Sequence, residues 1–478
     1  MSVKLSVAQH ISAANDQIHL CSRTALPEKI GLTPNEKIHL ELRLKSNPPW
    51  VCLPRGEKFI HIVLFDESKN QNKTSENIRC AGSQMASQLN RMKTKKVSVQ
   101  NHSTRNDAAL LFAEGMALAS YEFNKYKTKK KSANSIHEIA VVGIELVALK
   151  EKQIIIDSLW QVRDLINSPA NKLNSSQLAE VFNQVGTKAG LKVEVWDKAK
   201  IEAMKFGGLL CVNQGSVDPP SFTIMEWKPE NAKNKKPIVL VGKGVTYDTG
   251  GLSLKPTSSM DTMKSDMSGA SIVFGTMICA ARTKLPLNLI ALIPSTDNRP
   301  GFNAFAPGDI IEMFDGSTVE MLNSDAEGRM ILADALAFAK KYSPELVIDA
   351  ATLTGAASRA IGQHGIVYLA TADTTETDSL ENTGEEVYER LVRFPLWEEY
   401  ADQLKSDIAD VKNVGGAAGG ANTAAKFLER FTSYPWIHLD IAGASFYSSS
   451  DGYRTKGATG FGMRLLYHFL KKKSENVG

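Results

Sequence analysis

The chain is expected to be an α/β protein made of two α/β domains, the second built on a mostly parallel central sheet. Three observations carry that expectation. Short, apolar, β-branched runs alternate with segments of helical spacing along both halves of the chain. In the second half these runs are apolar at nearly every position, as strands covered on both faces are. The length, 478 residues, suffices for two or three domains. With 43% hydrophobic and 23% charged residues the composition is that of an ordinary globular protein, which excludes wholesale disorder and collagen.

In chain order, residues 59–65 (FIHIVLF) and 139–144 (IAVVGI) are expected as buried strands, with a helix over 107–121 between them and a lysine-rich loop after that helix. Nothing in this half gathers His, Asp or Cys into a chemical cluster, so residues 1–160 are assigned as an N-terminal α/β scaffold or oligomerisation domain. A helix over about 152–167 stops at Ser168-Pro169, because proline disfavours helix in the residue before it; this is the expected domain connection. The second domain, 161–478, then runs through strands at 238–242, 287–293, 346–350 and 436–441, with helices at 269–282 and 330–341 among them. In parallel sheets ligands bind beyond the carboxyl ends of strands, so the turns after these strands are where chemistry is sought.

Several classes are excluded early. The longest apolar stretches, such as 289–293, fall far short of the ~20 residues needed to span a bilayer. The first residues lack the continuous apolar core of a signal peptide. Five scattered cysteines, none in a CxxC pair, exclude a disulfide framework and a thiolate zinc site and suit a reducing cytoplasm. The net charge of +4 conceals an asymmetry: residues 1–165 hold 24 Lys and Arg against 16 Asp and Glu, and the remainder 32 against 36. The excess sits in Arg91, Lys93, Lys95 and Lys96 and in Lys125, Lys127, Lys129, Lys130 and Lys131. Such runs suit phosphate contacts to nucleic acid, but a solvated loop is the favoured expectation, since no aromatic residue interleaves the lysine triplet 129–131.

Two turns carry the chemistry. The first, 241–251 (VGKGVTYDTGG), sets Lys243 between glycines at a strand end, then Asp248, then Gly250-Gly251; Lys255 and Asp266 follow. It lacks the order of a phosphate-binding P-loop. Alone, it is equally a glycine-rich connection with solvated charges. The second, 323–329 (NSDAEGR), places Asp325, Glu327 and Arg329 at i, i+2 and i+4; in an extended segment they share one face. Alone, that reads first as a surface salt-bridge strip. If both turns line one cleft, Asp248, Asp266, Asp325 and Glu327 bring four negative charges together, and two divalent cations balance them once a coordinating lysine is neutral. Oxygen ligands with one nitrogen suit Zn, Mn, Co or Mg, and paired ions polarise a carbonyl and activate water.

At these residues the sequence resembles the leucyl aminopeptidase (cytosol aminopeptidase) family. The resemblance spans about 160–470 and rests on VRDLINSPAN (162–171), GKGVTYDTGGLSLKP (242–256), MKSDMSGA (263–270), NSDAEGRM (323–330) and HLDIAGA (438–444). It implies a metal-dependent aminopeptidase that releases N-terminal residues from peptides. By motif, Asp248, Asp325 and Glu327 match ligands of a more exchangeable metal site. Lys243, Asp248, Asp266 and Glu327 match a tighter one, with Asp248 and Glu327 bridging. Lys255 and Arg329 match the catalytic pair: Lys255 stabilises the oxyanion, and Arg329 holds a bicarbonate that shuttles a proton. Met263, Thr352, Gly355 and Ala442 match a pocket for a Leu- or Met-sized side chain, although residues of these types equally pack ordinary cores. The resemblance also implies a homohexamer. Departures from the family pattern are Ser268 and Ser271 beside Asp266, Asn422 and Lys426 in 420–428, and Phe461-Gly462-Met463 after 456–460; none replaces a ligand. Two other functions stay open: a two-metal phosphoesterase, and a nucleic-acid-binding regulatory protein using the basic N-terminal half.

Overall fold

A computed structural model describes residues 2–23, 30–129 and 134–476. Lys130 and Lys131 of the basic run lie outside the described residues. The chain forms two compact units, one of residues 1–160 with 449–456 and the other of 161–448 with 457–478. The division falls inside the helix Leu146–Asn167, ahead of the Ser168-Pro169 break where the connection was expected. It also gives residues 449–456 to the first unit, which no single cut along the chain anticipates.

The first unit holds a six-stranded sheet of β1 (Lys4–Ala8), β2 (Asp16–Ser22), β3 (Trp50–Arg55), β4 (Lys58–Phe65), β5 (Lys96–Asn101) and β6 (Glu138–Val142), in the order β1-β6-β5-β2-β4-β3. Only the β3–β4 pair is antiparallel. Buried ion pairs explain why 449–456 belongs here. Glu76 takes Arg79 at 3.3 Å, Arg454 at 3.1 Å and the Tyr453 hydroxyl at 2.9 Å, while Glu114 takes Arg79 at 3.1 Å and Lys152 at 3.0 Å. A buried charge is tolerated only when paired and hydrogen-bonded, so the segment is held where its arginine finds a carboxylate. In the basic run, Lys96 pairs with Glu138 at 3.0 Å and is otherwise exposed.

The second unit is built on β7 (Lys192–Trp196), β8 (Ser221–Trp227), β9 (Ile238–Gly242), β10 (Gly244–Asp248) and β11 (Leu289–Asn298), with a small sheet of β12 (Asp309–Glu312), β13 (Thr318–Met321) and, later in the chain, β17 (Val411–Lys412). β14 (Leu346–Ala351), β15 (Ile366–Ala370), β16 (Leu391–Arg393) and β18 (Trp436–Asp440) complete the large sheet, in the order β16-β15-β18-β14-β9-β11-β8-β7, with β10 added on β11. Its centre, β18-β14-β9-β11, is parallel throughout, and antiparallel pairs occur only at β15–β18, β8–β11 and β7–β8. Every residue of β9, β11, β14 and β18 is buried, as strands covered on both faces are, the polar end of β11 and Asp349, His438 and Asp440 included. Helix Ser268–Arg282 is buried along 268–281 against one face, and helix Glu327–Ala339 is buried along its whole length. Packing of Trp196, Phe206, Phe222 and Phe338, with ring centroids 4.8–5.7 Å apart, fills the core. The carboxyl ends of β9, β14 and β18 open on one region, where the two motif turns lie.

Candidate active site

Lys243 follows β9 directly, and its backbone N–H bonds the carbonyl of Ala350 on β14 (3.1 Å), so the parallel sheet aims its side chain past the strand ends. Its Nζ lies 2.9 and 2.8 Å from the two oxygens of Asp266, 2.9 Å from Glu327 Oε1 and 2.9 Å from the carbonyl of Thr352. Asp266 stands on the one-turn helix Met263–Met267 and also accepts from the Thr352 hydroxyl (2.7 Å). Asp248 ends β10; its Oδ1 accepts from Gly250 N and from Asn298 Nδ2, both at 2.8 Å, and its Oδ2 lies 2.8 Å from Lys255 Nζ, which also pairs with Asp325. Carboxylate oxygens of Asp248, Asp325 and Glu327 all lie within 4.8 Å of one another. Asp325 is the partly exposed member, at 34% of its side chain.

The second turn converges differently from the sequence expectation. The segment is not extended: Ser324–Ala326 is a single turn capped by Asn323, and Glu327 opens the helix Glu327–Ala339. Positions i and i+2 do not share a helix face. Asp325 and Glu327 meet Asp248 because the chain changes course at Ala326, whose φ of −110° and ψ of 37° are outside helical values. Arg329, one further step into the helix, is buried and donates to the carbonyl of Asn413 at 2.7 Å.

Two glycines permit this geometry. Gly250 has φ of +85°, and a Cβ there would lie 2.4 Å from the carbonyl oxygen of Ser253. A Cβ on Gly328 would lie 2.4 Å from Cε and 2.6 Å from Nζ of Lys243. Gly328→Ala is therefore expected to displace Lys243, lowering metal content at fixed ion concentration and costing about 1–3 kcal/mol as an overpacked site. Metal analysis and thermal unfolding read both, and a fully loaded, equally stable variant would contradict the contact.

Burial is the leading influence on the charges. It pushes Glu327 up to about 8 and Asp266 up to about 6 and raises Asp325, with Asp248 adding to each and the lysines opposing. Burial opposes charge on Lys243 and Lys255 as well, yet the surrounding carboxylates outweigh it and hold both amines above the ordinary lysine value. It brings Arg329 down to about 10 against the pull of Glu327 and Asp440. Four carboxylates thus face two ammonium groups. Both Glu327 oxygens and Asp266 Oδ2 are buried without a directed hydrogen bond, even where a lysine lies at ion-pair distance. An oxygen-rich, negatively charged donor set with unsatisfied carboxylate atoms fits divalent cations.

Of the four expected pocket residues, Thr352 contacts Asp266, Met263 shares its turn, and Gly355 and Ala442 follow β14 and β18. Met263, Thr352 and Ala442 are half-buried and Gly355 is exposed, so none of the four is a sealed core position. Three supporting residues escape the sequence analysis. Asn298 holds Asp248 because a register shift in the β10–β11 pairing after Val245 sets the two opposite each other, a nonlocal fact with no local pattern. Ser324 clasps the first turn: its hydroxyl donates to Gly250 O at 2.6 Å and accepts from Ser253 N at 2.7 Å. Asn413 bonds Arg329 and the backbone N–H of Leu322; a polar residue after the apolar Val411 is its only signal.

Comparisons with known proteins agree with this site. Residues 160–467 match the cytosol aminopeptidase family, catalytic domain, and 68–130 match that family's N-terminal domain. A probable cytosol aminopeptidase of Chlorobaculum tepidum is 45% identical over 389 residues, covering 78% of this chain and 77% of that protein. One from Geotalea uraniireducens is 40% identical over 422 residues, covering 86% and 85%. Among solved structures, the bottromycin maturation enzyme BotP in complex with Mn superposes with a TM-score of 0.87 at 28% identity, covering 97% of this chain and 100% of that one. A mutant of tomato leucine aminopeptidase superposes with a TM-score of 0.86 at 26% identity, covering 98% and 97%. With its catalytic-domain match spanning more than half its length and its acidic cluster fitted to divalent ions, this chain belongs to the cytosol aminopeptidase family, the metal-dependent aminopeptidases.

Proposed function

We propose that the protein removes Leu- or Met-like residues from the amino ends of peptides at a dinuclear centre of Zn or Mn ions, Co and Mg being the other ions its donor set suits. The observation that carries this is the meeting of Asp248, Asp325 and Glu327 within 4.8 Å, with Lys243 joining Asp266 to Glu327. Asp248, Asp325 and Glu327 would hold one ion, and Lys243, Asp248, Asp266 and Glu327 the other. When bound, the pair supplies polarisation of the scissile carbonyl and activation of a water molecule.

The chain's own groups do the rest. Lys243 spends its donors on Asp266, Glu327 and the Thr352 carbonyl, the arrangement of an ammonium; to serve as a nitrogen ligand it releases a proton. Lys255 places a cation beside Asp248 and Asp325, where negative charge develops on the attacked carbonyl oxygen. Arg329 is a buried guanidinium with an Nε that makes no hydrogen bond, suited to hold a bicarbonate as the proton carrier. Met263, Thr352, Gly355 and Ala442 border the side-chain pocket. Dependence on a free α-amine limits cleavage to the peptide's first bond.

Family membership further supports a homohexamer, a cytoplasmic location and a scaffolding role for residues 1–160; among the described residues no helix is long and apolar enough to cross a membrane. The deciding experiment is a metal-substituted activity profile over a panel of Xaa-amides beside a phosphate ester and N-acetyl-leucinamide. Hydrolysis of leucine and methionine amides alone is expected. Turnover of the ester or of the acetylated amide would overturn the assignment.

A further inference from the structure

Asp325 and Arg329 both hang on a residue that the proposed mechanism does not use. Asn413 follows β17, a strand paired with β13 at two positions, Val319 with Val411 and Glu320 with Lys412. So short a ladder is held at both ends by side chains. At its start, Asp410 Oδ2 accepts from the backbone N–H and the hydroxyl of Thr318, at 2.8 and 3.1 Å. At its end, Asn413 donates its backbone N–H to the carbonyl of Glu320 at 2.9 Å, and its side chain then takes over. Oδ1 accepts from the backbone N–H groups of Leu322 and Asn323 at 2.8 and 3.3 Å, and Nδ2 donates to the carbonyl of Asn323 at 2.8 Å. A side-chain amide offers an acceptor and a donor side by side as a backbone peptide does, and these partners fix which end is which. The next six residues, VGGAAG (414–419), carry no polar side chain, so none of them could extend the ladder in this way.

We infer that Asn413 is a positioning residue for one half of the dinuclear site: it sets the place of Asp325 through Asn323, and that of Arg329 through its own carbonyl. The inference rests on the dinuclear site proposed above. β13 ends at Met321 and the turn Ser324–Ala326 follows at once, so extending the ladder over Leu322 and Asn323 fixes where that turn begins. Asn323, gripped by Asn413 at both its N–H and its carbonyl, caps the turn: its Oδ1 accepts from the N–H of Asp325 at 2.8 Å. Arg329 Nη1 donates to the carbonyl of Asn413 at 2.7 Å. Asn413 is fully buried, and without its amide the peptide groups of Leu322 and Asn323 lose their partners and the turn is free to shift. The other half of the site is held from elsewhere, Lys243 by its backbone bond to Ala350 and Asp266 by the Thr352 hydroxyl. Asp248 and Glu327 belong to both halves. Asn413 therefore acts on the ion proposed for Asp325, and not on the one proposed for Lys243 and Asp266.

Titration of Mn into the metal-free full chain tests this. Two binding steps are expected for the wild type, and Asp325→Asn identifies which of them depends on Asp325. Asn413→Ala is expected to weaken that step by about 10–100-fold, the usual cost of losing a group that orients a ligand, and to leave the other step in place. With both sites saturated, its kcat is expected to stay about 10²-fold below wild type, because Arg329 has lost its place. Asn323→Ala, which removes the cap on Asp325, is expected to weaken the same step by less. A merely structural role for Asn413 lowers the melting temperature and leaves the ratio of the two affinities as in the wild type. That ratio unchanged in both variants would overturn the inference; if Asn413→Ala does not fold, the isotherm of Asn323→Ala decides. A wild-type chain that takes up no Mn would instead sink the dinuclear site on which the inference stands.

Discussion

Exhaustive removal of divalent ions lowers hydrolysis of leucine p-nitroanilide by about 10³-fold or more, and returning Zn or Mn restores it. The magnitude follows from losing several kcal/mol of charge stabilisation, at about 1.4 kcal/mol per factor of ten. Among the described residues, the cations at ion-pair distance from Asp248, Asp266, Asp325 and Glu327 are Lys243 and Lys255, and the Glu327 oxygens make no directed hydrogen bond. The pH dependence has a definite sign. Burial holds Glu327 up to about 8 and Asp266 up to about 6, so at lower pH protons compete with the ions for these oxygens. Ion affinity therefore rises as pH increases through these values, and loading releases protons. Calorimetric titration in buffers of different ionisation enthalpy measures that release. Activity that survives complete ion removal excludes the dinuclear mechanism.

Lys255→Ala lowers kcat by about 10²–10³, the cost of losing one donor aimed at a developing oxyanion. Its Nζ, 2.8 Å from Asp248 Oδ2 and paired with Asp325, sits against two of the carboxylates proposed to hold an ion. Two effects have to be separated. Loss of this cation leaves Asp248 and Asp325 with less opposing charge, which favours ion binding, while the oxyanion loses its donor. A variant that keeps its metal content and KM but loses kcat assigns Lys255 to the transition state. Unchanged kcat removes it from the mechanism.

How much of this was legible beforehand depends on the range of the forces involved. The unbroken apolar runs at 238–242 and 289–293 mark buried parallel strands because burial on both faces leaves no polar alternation. The glycine-flanked Lys243 and the acidic stretch 323–329 were visible as unusual turns. The expectation that Asp325, Glu327 and Arg329 lie along one extended face was wrong in its geometry: a helix start replaces the strand, and the carboxylates converge through the change of course at Ala326. Asn298, Ser324 and Asn413 were missed because single polar residues carry no periodic signal; each acts on a partner distant in sequence. The place of 449–456 in the first unit was missed for the same reason, since it depends on Arg454 finding Glu76.

The sequence by itself determined which segments become strands and helices and which turns carry lysine and carboxylate at strand ends, because hydrophobic periodicity, proline and glycine act over a few residues. Only the tertiary structure decided that the two turns share one site. That convergence is set by strand order and register: β9 between β14 and β11, and β10 laid on β11 so that Asp248 faces Asn298. Pairing of this kind is chosen by the burial of whole faces rather than by any local stretch of chain. The chemistry of four carboxylates held against two lysines therefore exists only in the folded molecule.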